Sequence, residues 1–139
     1  MKLLLAAVAH VILSVALMGQ VKSETPIEVS LAVAPIYPPL ALSANVTGDV
    51  EVRVTVNEAG AAVSAETING REPLKHSALE AARRWKFQPQ QHNAEAVLTF
   101  SFVIVPDRTL AEDATPIFSP PYRVEVRRKL PEPTVNYHR

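Results

Sequence analysis

Residues Leu74 to Pro89 read LKHSALEAARRWKFQP, and no other stretch limits the fold so tightly. Apolar side chains recur at Leu74, Ala78, Leu79, Ala82 and Trp85, a three-to-four spacing that gathers them on one helical face. Pro73 suits the first helical position, where its missing N–H costs no hydrogen bond. Pro89 forbids continuation and drives Gln88 toward extended geometry. The spacing predicts a helix of about three turns ending near Trp85–Lys86, with Phe87 folded back beside Trp85. Ala81 and Ala82 add no bulk, so this helix can lie close to a sheet. Trp85 and Phe87 read as the aromatic end of a small core.

The sheet that the helix needs is written before and after it. Val50, Val52, Val54 and Val56 alternate with Glu51, Arg53, Thr55 and Asn57, the two-residue period of a half-buried strand. Asn57-Glu58-Ala59-Gly60 is turn chemistry, so Ala61 to Ile68 reads as the returning strand of a hairpin. Its pattern is weaker, because Val63 and Ala65 share a face and Ile68 falls on the other, which calls for a bulge or strong twist. Asn69-Gly70 makes a second turn. Beyond the polar loop Gln90 to Asn93, Ala96 to Val105 forms a third strand, with Leu98, Phe100, Phe102 and Ile104 on one face. That bulky row is expected to meet Trp85 and the valine row. The order strand, strand, helix, strand predicts an α+β domain, a small antiparallel three-stranded sheet with one face covered by the helix.

The flanks are different in kind. The chain has twelve prolines and no cysteine, and the prolines cluster at 26–39 and 106–133. Ala34 to Pro39 (APIYPP) is forced extended by its prolines, and Leu40 to Asn45 is expected to make a short helical turn that Thr47-Gly48 breaks. Residues 107–121 read as a proline-interrupted linker. Tyr122 to Lys129 (YRVEVRRK) alternates again, with Tyr122, Val124 and Val126 on one side. This segment is a candidate fourth strand beside the third strand, as a plug or as edge protection, or else a loosely ordered tail. The last ten residues are expected to be mobile.

The opening MKLLLAAVAHVILSVALMGQVKS carries one early Lys and an apolar run from Leu3 to Met18. As a helix that run spans roughly 24 Å, short for a hydrocarbon core of about 30 Å. Residues 1–23 are therefore expected to be a secretory signal peptide, with a short membrane anchor as the alternative. Gly19 and Ser23 are the candidate cleavage points, and neither has the Ala-x-Ala form. An exported chain without cysteine must rest on packing alone. With Lys2 and Lys22 removed in the leader, 12 basic residues face 14 acidic ones, a balance that attracts neither nucleic acid nor an acidic membrane surface.

The succession Tyr37-Pro38, Gly48-Asp49-Val50, Val52, Val56, Gly60, Val63, Ile68, Leu79, AARRWKFQP at 81–89, and Phe100 with Phe102 resembles the C-terminal domain of the TonB family. The resemblance runs from Pro35 to Val105, with residues 24–34 as lead-in and 106–139 as an extension. It implies a binding module, not an enzyme, in the periplasm of a Gram-negative bacterium. Such domains grip an extended segment of an outer-membrane TonB-dependent transporter and pass on force from an ExbB–ExbD-type motor. The grip is strand addition to an open sheet edge. Carried onto this chain, the implied partner-binding residues are Val97, Leu98, Thr99, Phe100, Ser101, Phe102 and Val103 on the third strand, with Ile36, Tyr37 and Pro38 nearby. For Tyr37, packing under the lead-in is an equal alternative. The chain departs at Ala34 from the family's founding member, which has there a Gln important for partner contact. It also has only a short spacer behind any anchor. A secreted scaffolding protein that keeps the fold without motor coupling is therefore the competing reading. An open edge also allows a homodimer.

Catalytic and metal-binding signatures are missing from the sequence. His10, His76, His92 and His138 are scattered, with no metal-ligand spacing, no G-x-S-x-G and no phosphate-cradling glycine loop. Glu51, Glu66 and Glu80 read as solvated faces. Arg83, Arg84 and Lys86 suit the negative end of the helix dipole. No cofactor is expected.

Overall fold

The computed structural model describes residues 25–133; the expected leader at 1–23 and the end of the tail lie outside them. In chain order the elements are β1 (Val29–Leu31), α1 (Pro39–Ser43), β2 (Gly48–Val56), β3 (Ala62–Asn69), α2 (Glu72–Arg83), β4 (Lys86–Phe87) and β5 (Ala94–Val105). A 3-10 turn at Glu112–Ala114 follows, then β6 (Ile117–Ser119) and β7 (Arg123–Lys129). The architecture is α+β. Its main sheet has the order β3-β2-β5-β7-β6, and β1 and β4 form a separate pair.

The alternating valines behave as their period requires. Val50, Val52, Val54 and Val56 are all fully buried, each burial being worth about 1.5–3 kcal/mol. Across the antiparallel β2–β5 ladder Val50 stands opposite Phe100 and Val52 opposite Leu98, so the valine row and the bulky row share one face. Helix α2 covers that face with Leu74, Ala78, Ala81 and Ala82. Its alanines allow the close approach, whereas Leu79 sits only half-buried at the margin. The returning strand β3 needs two register shifts against β2, which reconciles its mixed parity. Val63 and Ile68 remain exposed.

Two boundaries differ from the sequence expectation. Helix α2 stops at Arg83, capped by the Arg84 N–H on Ala81 O and the Trp85 N–H on Ala82 O. It ends early because Lys86–Phe87 pair with Val29–Leu31, and extended pairing displaces another helical turn. The lead-in at 24–34 supplies that partner. The sheet is also larger than three strands and is mixed. The extension does add a strand beside β5, but it runs parallel to it and brings the antiparallel β6 with it.

Gly60 joins the hairpin to the end of α2. Its carbonyl accepts the Phe87 N–H at 2.8 Å, its φ is +84°, and a Cβ there would stand 1.9 Å from Phe87 O. Gly60→Ala is therefore expected to lower the unfolding free energy by roughly 2–4 kcal/mol in urea melts. Gly48→Ala should cost only backbone strain, about 1–2 kcal/mol, because a Cβ at that site meets nothing within 4 Å.

Candidate partner-binding site

Strand β5 has two edges with different fates. Its inner edge is paired with β2 from Val56↔Ala94 to Gly48↔Phe102. Its outer edge is paired with β7 only from Thr99↔Arg123 to Val105↔Lys129. The Thr99 N–H donates to Tyr122 O at 2.9 Å, which marks odd-numbered residues as the ones whose main-chain groups face outward, since the pleat repeats every two residues. Glu95 and Val97 share that orientation, and no strand lies beside them among the described residues. Next to this open end is a cavity of about 750 Å³ bordered by Ile27, Gln90, Asn93, Glu95, Val97 and Tyr122. A short length of unpaired edge beside a cleft offers amide donors and carbonyl acceptors to an extended chain.

The cleft is closed at one end by Tyr122. Its hydroxyl accepts the Ile27 N–H at 2.5 Å and donates to the Ile27 carbonyl at 3.1 Å, while its ring meets Phe87 edge-on. The alternating pattern placed Tyr122 at the start of a strand. Its link to Ile27, 95 residues away, has no local signal. Glu95 likewise gains its place only from the ladder register, and Gln90 gains its place from its N–H on Glu58 O at 2.9 Å.

The implied site residues divide by side-chain direction. Leu98, Phe100 and Phe102 point into the core and are buried, so only their strand's main chain can meet a partner. Val97 is exposed at 40%, and Thr99 and Val103 are half-buried on the outer face. Ser101 is buried, its hydroxyl donating to Asp49 at 2.6 Å; Asp49 also pairs with Arg123 of β7 at 3.3 Å. On the lead segment Tyr37 is buried, its hydroxyl donating to Val46 O at 2.5 Å and its ring standing edge-on to Phe102 at 5.3 Å. Ile36 is 74% exposed, its carbonyl held by the Ser77 hydroxyl, and Pro38 is half-buried. Tyr37 therefore packs, and by packing it displays Ile36 beside a groove of about 400 Å³ lined with Pro35, Pro38, Pro73 and Arg84. This groove and the β5 cleft share no lining residue.

Among the described residues no group of three or more His, Cys, Asp or Glu side chains lies together as a metal site would need. Burial raises the Tyr37 phenol above the ordinary tyrosine pKa. Burial raises Tyr122 as well, opposed by its backbone hydrogen bond with Ile27.

Compared with known families, the chain matches the one described as Gram-negative bacterial TonB protein C-terminal over residues 33–111. Among solved structures it is similar to the solution NMR structure of the Pseudomonas aeruginosa TonB CTD, at 22% identity and a TM-score of 0.48, covering 63% of this chain and 95% of that one. No curated protein matches it.

Because the folded-state pKa values of Tyr37 and Tyr122 are raised, the stability they contribute is complete below about pH 10, the unfolded tyrosine value. It is lost as pH rises through the folded values. Absorbance titration of the folded protein should show both phenols ionising later than free tyrosine. Tyr37→Phe combined with Tyr122→Phe should remove this contribution to the alkaline loss of stability.

Proposed function

The chain belongs to the TonB C-terminal family, and from that membership we propose that it is a protein-binding module of TonB-dependent transport. It takes an extended segment of an outer-membrane transporter as an added strand along β5. The observation that carries this reading is the open end of the β5 edge, where Glu95 and Val97 turn their main-chain groups into the adjoining cleft. Main-chain pairing supplies affinity there, and pockets for alternate side chains supply selectivity. The site extends from Val97 through Leu98, Thr99, Phe100, Ser101 and Phe102 to Val103. Ile36 and Pro38 form a second contact that Tyr37 holds in position.

In this reading residues 1–23 direct export to the Gram-negative periplasm, residues 35–105 are the working domain, and 106–139 are an extension of it. No cofactor or catalysis is involved. An ExbB–ExbD-type motor is a partner only if the leader remains as an anchor. A scaffolding protein that keeps the fold without motor coupling is the second reading, and the observation on its side is β7, which lies along Thr99–Val105. N-terminal sequencing of the exported protein separates the two: a retained leader tethers the domain as coupling requires, and a cleaved one does not.

Titration with a synthetic extended peptide from the periplasm-facing segment of a TonB-dependent transporter should shift the amides of Glu95, Val97 and the residues after them in an NMR experiment. Val97→Pro removes an outward N–H without touching the β2 ladder, and is expected to weaken that peptide at least about tenfold while far-UV circular dichroism stays unchanged. Unshifted β5 amides at saturating peptide would overturn the reading.

A further inference from the structure

We propose that the β6–β7 hairpin is a strand supplied in cis, which closes the outer edge of β5 and leaves it as a unit while the rest of the domain stays folded. The hairpin and a partner's extended segment then compete for the edge from Thr99 to Val105. The competition rests on the strand-addition reading above, whereas release of the hairpin does not.

Four observations converge on this. The family match ends at residue 111, so the whole hairpin, Ile117 to Lys129, lies beyond the part of the chain that carries the family's pattern. The connection over residues 106–116 has no buried residue, its backbone–backbone hydrogen bonds are turns within itself, such as Thr109 N–H to Pro106 O, and its Asp113 carbonyl accepts from Arg127 of the hairpin, a tie that travels with β7. Eleven such residues reach about 36 Å when extended, enough for the hairpin to swing clear. Of the eighteen buried hydrophobic residues of the core among the described residues, only Val124 and Val126 belong to the hairpin, and all three residues of β6 are exposed. The pairs Arg123–Asp49 and Arg127–Glu125 are partly exposed or internal to β7, so they hold it weakly, and the remaining polar tie that release must break is the Tyr122 hydroxyl on Ile27.

The open end of β5 gives an incoming strand a place to begin. Glu95 and Val97 pair first, and extension along the same edge requires β7 to depart. The apparent affinity for a partner is then reduced by the fraction of molecules whose edge is free. Departure also has a built-in reporter. Trp85 is the chain's single tryptophan, and its ring meets Phe118 of β6 at 6.0 Å.

Release is tested on the full chain by native-state hydrogen exchange, with β5 as its own control. The amides of Ser101 and Val103 face β7, and those of Phe100 and Phe102 face β2. If the hairpin leaves alone, Ser101 and Val103 exchange about a hundredfold or more faster than Phe100 and Phe102. Equal rates for all four would mean that the hairpin leaves only with global unfolding, which overturns the proposal.

Competition is tested with Thr99→Cys plus Arg123→Cys, paired across the parallel ladder in a chain that has no other thiol. The synthetic transporter peptide should bind the oxidised form at least about tenfold more weakly than the reduced form, and binding to the reduced form should red-shift Trp85 emission. Equal binding to both forms, with no shift, would overturn the competition. Absence of binding to the reduced form and to the full chain carrying Val126→Asp, which loosens β7 by placing a charge at a buried position, overturns the strand-addition reading and the competition together, while release stands on the exchange rates.

Discussion

Trp85 is the joint on which the separate parts of the molecule meet. Its ring lies edge-on to Phe100 of β5 and tilted against Phe87 of β4, and Phe118 of β6 meets it edge-on as well. Its indole N–H donates to Val33 O at 2.9 Å, which pins the proline-rich lead segment to the core. A buried tryptophan needs a partner for that N–H, and here the partner is an extended main chain with no ladder of its own. The helix end, the central strand, the lead segment and the C-terminal hairpin are thus registered by one side chain. The helix stops just before it because the chain must straighten to place Lys86 and Phe87 beside β1.

From that joint the sheet grows outward in steps of decreasing burial. The β2 and β5 strands carry the valine and aromatic rows and are sealed on the helical face. The β7 strand adds Val124 and Val126, and β6 adds side chains that are all exposed. On the other side β3 is irregular, twice shifted in register and studded with exposed apolar residues. The molecule therefore has a firm centre and two lightly held margins, and stability in such a sheet falls toward the edges. The proposed release of the hairpin rests on this gradient. A strand can be exchanged only where few side chains anchor it, and the β7 side meets that condition while leaving the β2 side intact.

The parallel orientation of β7 follows from chain geometry. A strand parallel to its neighbour needs a long return connection, a dozen residues or more. The chain supplies one in 106–122, with a 3-10 turn and β6 along it. Had the link been short, β7 could only have returned antiparallel. The proline-interrupted stretch is thus what permits the topology, and Tyr122 fixes its end point through the two hydrogen bonds with Ile27.

Much of this was legible in the residues themselves. Helix α2 follows from its apolar spacing between two prolines. Strands β2 and β5 follow from two-residue periods, and the Gly60 turn from its composition, because each of these is set by contacts within a few residues. The family resemblance was legible for the same reason, in the run AARRWKFQP and the glycine-bounded hairpin. Strand β1 and strand β6 were not legible: three residues carry no measurable period, and each exists only because another strand lies beside it. Nor could the sequence say that Tyr37 packs against Phe102, or that β7 covers β5 from Thr99 onward and leaves Glu95 and Val97 open. Those facts depend on ladder register and on contacts between residues far apart in the chain. Local pattern chose the pieces, and long-range pairing decided which edge remained available.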